Sequence, residues 1–208
     1  MKLPCRAVLF DLDGVLVESR ASVERQWALW ADEHGVEMER IRALMHGVRG
    51  AEVVAAVAPA LDAEAEAALI DHAQAVDLDG VEALEGAAEL VGAAPTWTVV
   101  TSGRRELAQA RLRHAGFAVP PSMVCAEDVA RGKPEPDGYL LAASRLGVPP
   151  EECVVIEDAP PGVAAARAAG IRVVGVTTTH SAGELEGADV ITASLKGVRV
   201  VGGGLEID

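Results

Sequence analysis

The sequence predicts an α/β protein: a parallel sheet core interrupted, straight after its first core strand, by a small all-helical insert. Three observations predict it. Short apolar runs at 7–10, 96–100, 153–156 and 172–176 alternate with Ala-rich helical stretches, the pattern of strands buried on both faces. Residues 19–78, by contrast, carry helical periodicity and no convincing strand. Acidic residues follow two of the apolar runs directly, and the carboxyl ends of parallel strands are where such sheets bind ligands.

Composition agrees with that class. The 208 residues suit one domain of ordinary size, or a core carrying a modest insertion. Half of them are hydrophobic and only 3% are aromatic, so the core must be built from Ala, Val and Leu. A net charge of −14 argues against nucleic acid as a partner. It leaves room for a small phosphorylated metabolite, because a metal and one Lys can reverse the sign locally. Cys5, Cys125 and Cys153 are odd in number and widely spaced, which reads as buried thiols and not as a disulfide or zinc framework. The N-terminus has no secretory apolar core, and no run reaches membrane-span length. The expected location is therefore cytoplasmic, with no membrane partner; the oligomeric state is open.

Taken in order, Ala7-Val8-Leu9-Phe10 is the first core strand. A helix follows, with Ser19 as N-cap, Gly35 as stop, and Val23, Trp27, Trp30 and His34 on one face. The two tryptophans read as packing residues. Further helical patches span 38–45, 51–57 and 62–76. A helix near 86–93 precedes the strand 96–100, and another at 104–115 leads to a short strand at 123–125. After a helix ending before Gly147 come strand 153–156, a helix to Ala169, strand 172–176, a short strand at 189–192, and a terminal hairpin over 198–207.

The chemistry-bearing residues lie at strand ends. Asp11 and Asp13 are two apart and point to one side of an extended chain, while Gly14 frees the next backbone position. An acidic pair with no nearby cation invites a divalent metal; a solvated turn or a calcium loop also fits this stretch alone. Thr101 and Ser102 end the second core strand, where a hydroxyl and free N–H groups suit a phosphate oxygen, although Ser102 also reads as a plain N-cap. Lys133 precedes Pro134, which favours extended backbone; a surface lysine is the ordinary reading. Glu157 and Asp158 follow the apolar run 153–156 and add oxygen donors for a cation.

Together, Asp11-Leu12-Asp13-Gly14, then Thr101-Ser102-Gly103, then Arg131-Gly132-Lys133-Pro134-Glu135-Pro136-Asp137, then Glu157-Asp158-Ala159-Pro160-Pro161-Gly162 resemble the four ordered motifs of the haloacid dehalogenase superfamily in its phosphatase form. The likeness covers nearly the whole chain. It implies a Rossmann-like core over 1–17 and 80–208, with a helical cap of the first type over 18–79. Glu18 stands where many relatives carry Asp. Val17-Glu18-Ser19 through Trp27, with His46-Gly47-Val48-Arg49, further resembles the small sugar and polyol phosphatases of that superfamily.

The resemblance implies the roles. Asp11 is the nucleophile that forms an aspartyl-phosphate, and Asp13 the general acid and base. Thr101, Ser102 and Gly14 would bind the phosphoryl group, with Lys133 offsetting charge. Mg²⁺ would be held by Asp11, the Asp13 carbonyl and Asp158, with Glu157 as support or a further ligand. His46 and Arg49 are the cap candidates for substrate contact, a solvated helix end being the ordinary alternative. A β-phosphoglucomutase-type enzyme is the nearest rival, but it carries a His where this chain has Val23. A dehalogenase proper lacks the second Asp, and a catalytically silent binding protein usually loses one of the acids or the Lys.

Overall fold

The computed structural model describes residues 1–208. In chain order the elements are β1 (Lys2–Pro4), β2 (Ala7–Phe10), β3 (Val17–Glu18), α1 (Arg20–His34), α2 (Met38–Arg42), α3 (Gly50–Val57), α4 (Ala63–Val76), β4 (Glu82–Ala83), α5 (Ala87–Ala93), β5 (Trp97–Val99) and α6 (Arg105–His114). There follow α7 (Asp137–Leu146), β6 (Cys153–Glu157), α8 (Pro160–Ala168), β7 (Arg172–Val176), β8 (Val190–Thr192), β9 (Val198–Val201) and β10 (Gly204–Ile207). The main sheet is parallel throughout, in the order β5-β2-β6-β7-β8.

Every residue of β2 and of β6 is buried, as strands covered on both faces must be. Alternate side chains feed two separate cores. Val8, Phe10, Val154 and Ile156 pack on one face with Leu90, Leu112 and the terminal strands. Ala7, Leu9, Val155 and Val173 pack on the other with Tyr139, Ala142 and Val163 from α7 and α8.

Helices α1 to α4 sit between the first core strand and the rest of the sheet and have their own apolar centre, formed by Trp27, Trp30, Ile41, Val53, Val54 and Ile70. Trp27 and Trp30 meet edge to face with centroids 5.6 Å apart, and Trp30 Nε1 donates to Glu66. The two crossings between helices and sheet are joined by an antiparallel ribbon, β3 with β4, that the residue pattern did not reveal.

Other differences are small and local. Residues 123–125 make only an isolated bridge, Val124 to Val100, and no continuous strand. The N-terminus adds β1 to the terminal hairpin, giving an antiparallel sheet β1-β10-β9. Ser19 precedes α1 as expected, yet its hydroxyl makes no capping bond and donates instead to Asp13. Cys125 and Cys153 are buried and Cys5 is half-buried, all unpaired. No helix is long and apolar enough to cross a membrane.

Leu9 is fully buried in the central strand, so Leu9→Ala should lower unfolding free energy by about 2–5 kcal/mol. Urea unfolding should show this as a lower midpoint at unchanged slope.

Candidate active site

The register of the main sheet brings the site together. Phe10 pairs with Val99 on one side and with Ile156 on the other. The Asp11 N–H donates to the Ile156 carbonyl (3.0 Å), and the Val100 N–H to the Phe10 carbonyl (2.8 Å). Asp11, Thr101 and the Glu157–Asp158 pair therefore leave their strands at one level, the carboxyl edge where the chain order reverses around β2.

Lys133 closes the group from below. Its ammonium donates to Asp11 Oδ1 (2.5 Å), Glu157 Oε1 (2.6 Å) and the Val100 carbonyl (3.2 Å), and it is buried. Burial alone would lower its pKa, but the Asp11 and Glu157 carboxylates outweigh that and hold it above the usual lysine value. It is a permanent buried cation, tied to the expected nucleophile.

Glu157 is the anchor of that lysine. Oε1 also accepts from the Tyr139 hydroxyl (2.8 Å), while Oε2 accepts the N–H groups of Asp158 (2.9 Å) and Ala159 (3.2 Å). A Cβ at Gly162, the third residue of α8, would collide with this carboxylate, so the first turn of that helix can pass it only with glycine there. With both oxygens engaged, Glu157 acts on Lys133, and Asp11 and Asp158 keep the freer oxygens of the cluster.

The cluster suits a hard divalent cation. Ligand oxygens of Asp11, Glu157 and Asp158 lie within 4.8 Å of one another, all buried and all carboxylate. Burial pushes the Asp11 carboxyl up to about 7 against the pull of Lys133. Burial, then the Glu157 and Asp11 carboxyls, push Asp158 well above the usual range, and Thr179 and Lys133 offset this only partly. Three carboxyls facing one ammonium are short of positive charge, and a divalent ion supplies it. Gly14 has φ +81°, and a Cβ there would overlap the Asp158 carboxylate, so this loop needs glycine on both counts.

Above the cluster lies a cavity of about 300 Å³ walled by the sheet edge and the helices of the insert. Asp11, Asp13, Gly14, Thr101, Ser102 and Asp158 all line it. Asp13 Oδ1 accepts from Ser19 Oγ (2.7 Å) and from Arg111 Nη1 (2.7 Å). Thr101 Oγ1 accepts the Gly103 N–H (3.1 Å), which leaves its own proton to donate. Ser102 Oγ donates to the Gly47 carbonyl (2.9 Å) of the helical insert. His46 lines the cavity, and its ring meets His180 edge to face at 5.5 Å. Burial, then His180, lower its pKa and keep it neutral. Arg49 does not line this cavity: its guanidinium is held by Glu52 (2.8 and 2.5 Å) and the Ala130 carbonyl (3.3 Å), packed over Gly132.

Besides Tyr139 and Gln74, three contributors escaped the residue patterns. Thr179 donates to the Asp158 carboxylate and to its carbonyl (3.0 Å). The signal was there, a Thr177-Thr178-Thr179 run directly after an apolar strand. Arg111 is buried on α6 beside Leu107, Ala108 and Leu112, and donates Nη2 to Gln74 of α4 (2.6 Å). A basic residue on the apolar stripe of an amphipathic helix was the visible hint. Asp71 of α4 is also buried, and its Oδ2 accepts the Arg104 N–H (3.1 Å). Burial pushes its carboxyl up to about 6, against that N–H and the Arg111 and Arg104 charges.

A family model described as haloacid dehalogenase-like hydrolase matches residues 5–170. The chain is 41% identical over 203 residues to hexitol phosphatase A of Escherichia coli, covering 94% of each. It is 32% identical over 227 residues to glycerol-1-phosphate phosphohydrolase 2 of Saccharomyces cerevisiae, covering all of this chain and 90% of that one. Among solved structures, a putative β-phosphoglucomutase from Bacteroides vulgatus superposes with TM-score 0.75 at 32% identity, over 92% of this chain and 85% of that one.

Because the folded state raises the Asp71 pKa to about 6 from an unfolded value near 3.8, its contribution favours folding below pH 4 and is lost as pH rises through 6. Asp71→Asn should therefore match the parent near pH 4 and gain up to about 3 kcal/mol relative to it by pH 7.5. Urea titrations at the two pH values check the sign.

Proposed function

This chain belongs to the haloacid dehalogenase-like hydrolase family, and we propose that it is a Mg²⁺-dependent phosphatase of small sugar or polyol phosphates, working through an Asp11 phosphoenzyme. The observation that carries the reading is the Asp11 carboxylate at the end of the central strand, with Lys133 at 2.5 Å and Asp158 in the same oxygen cluster. The named activities of the hexitol and glycerol-1-phosphate relatives support the substrate class.

A carboxylate needs no base to become a nucleophile; its obstacle is repulsion from the phosphate dianion. Lys133 reduces that repulsion from one side. Asp11 and Asp158, with the Asp13 carbonyl, would hold Mg²⁺, which when bound supplies further neutralisation of phosphoryl charge. Thr101, with its hydroxyl proton free, would hold a phosphoryl oxygen. Attack forms the Asp11–phosphorus bond and breaks the bond to the substrate alcohol, whose oxygen takes a proton from Asp13. In the second step Asp13 takes a proton from water as it attacks phosphorus, and Asp11 leaves with inorganic phosphate released. Asp13 uses one oxygen for Ser19 and Arg111, so the other is available for both transfers.

Docked helices α1 to α4 roof the cavity and exclude bulk water during the first step. The Ser102 hydroxyl bond to Gly47 and the Arg104 N–H bond to Asp71 are two of the contacts that hold them down. The division into a core over 1–17 and 80–208 and a cap over 18–79 belongs to this reading, with the β3–β4 ribbon as the joint.

A mutase is the second reading, favoured by the structural likeness to a putative β-phosphoglucomutase. Val23 lines the cavity and carries no proton-transferring group, which leaves water as the acceptor.

Phosphate release across a panel of hexose, hexitol, glycerol and glycolate phosphates should be greatest with the hexitol and glycerol esters, and EDTA should abolish it. Interconversion of sugar phosphate isomers without phosphate release would instead establish the mutase. Asp11→Asn should cut turnover more than about a thousand-fold at unchanged circular dichroism; an active Asn variant would remove the proposed nucleophile.

A further inference from the structure

We propose that Asp71, Gln74 and Arg111 form a hydroxyl-recognition subsite that selects a neutral, polyhydroxylated alcohol as the leaving part of the substrate. The proposal rests on the phosphatase reading above and assigns specificity to α4 of the insert. Asp71 and Gln74 are three apart on that helix and share a face. Both line the cavity, as does Arg111, contributed by α6 of the sheet layer.

Position follows from the Arg111 guanidinium. Nη1 donates to Asp13 Oδ1 (2.7 Å) and Nη2 to Gln74 Oε1 (2.6 Å), so one planar group spans the acid/base and α4. The leaving oxygen must sit at Asp13 to receive its proton. The carbons behind that oxygen then run along the wall that Arg111, Gln74 and Asp71 build.

Chemistry follows from what this wall leaves unmet. Asp71 is 9%, Gln74 3% and Arg111 2% exposed. Asp71 Oδ1 stays accessible in the cavity and accepts nothing from the protein, while Oδ2 accepts the Arg104 N–H. No acceptor reaches Gln74 Nε2, and Arg111 Nε is buried without a partner. An acceptor and a donor side by side on one helical turn match hydroxyl groups, which both donate and accept. Charge narrows the class. Arg111 is shared with Asp13, and the Arg104 guanidinium is paired with Glu64 and Glu127, so the Asp71 carboxylate leaves this wall with net negative charge. A carboxylate or second phosphate on the substrate would be repelled, and a neutral hydroxylated chain accepted.

The test is steady-state kinetics on the full chain with Mg²⁺, comparing sorbitol 6-phosphate, phosphoglycolate and p-nitrophenyl phosphate. Asp71→Asn keeps an oxygen for the Arg104 N–H but turns the free acceptor into a donor; Gln74→Met removes the donor at similar volume. In each variant the kcat/KM ratio of sorbitol 6-phosphate to p-nitrophenyl phosphate should fall about 10–100-fold, mostly through KM. Asp71→Asn should also raise the phosphoglycolate to sorbitol 6-phosphate ratio. Ratios unchanged in both variants, or equal losses on all three substrates, would overturn the subsite while leaving the phosphatase reading intact. A parent protein that releases phosphate from none of the three would overturn both.

Discussion

A buried lysine between two buried carboxylates sets the terms for the rest of this structure. Lys133 has little water to solvate it, so its charge survives only because Asp11, Glu157 and the Val100 carbonyl surround it. That requirement ties the loop carrying Lys133 to the ends of three adjacent strands. It also gives Tyr139 its place, because the Glu157 carboxylate needs a further donor once it is buried. The lysine falls one charge short of what is needed even for Asp11 and Glu157 together, before Asp158 is counted. The remaining negative charge makes this edge of the sheet suited to a divalent cation.

The second constraint is that the helical layer must lie against the sheet edge without sealing off the site. It does so through polar contacts in place of a continuous apolar seam. Its own core, around Trp27, Trp30 and Ile41, is separate from the two cores of the sheet. The joints include Ser102 to Gly47, Arg104 N–H to Asp71, Arg111 to Gln74, and Arg49 to the Ala130 carbonyl. Joints of this kind each contribute about 0.5–1.5 kcal/mol, more where a charge is involved. A layer held this way can dock and release at modest cost, which suits an active site that must admit substrate and exclude water. Two of the joints use residues beside Thr101 or Asp13, so docking and the ordering of the reacting groups are coupled.

Much of this was legible in the residues. Strands buried on both faces announce themselves as unbroken Val, Ile and Leu runs, and helix stops such as Gly35 and Gly147 mark their own positions. Asp11, Asp13, Glu157 and Asp158 could be picked out because charge directly after an apolar strand is costly without a purpose. Lys133 was harder, since only its place between Gly132 and Pro134 set it apart.

What the chain determined by itself was therefore local: which segments are strands or helices, and which polar groups stand at strand ends. The parallel sheet then makes those ends converge. The tertiary structure alone decided how the polar groups divide their bonds. Glu157 turns to Lys133 and backbone N–H groups, Ser19 to Asp13 and away from capping its helix, and Arg49 to Glu52 and away from the cavity. Arg111 reaches Asp13 across 98 residues and Gln74 across 37. No periodicity spans such separations, because a hydrogen bond is decided by angstrom-scale packing that exists only once the layers have met.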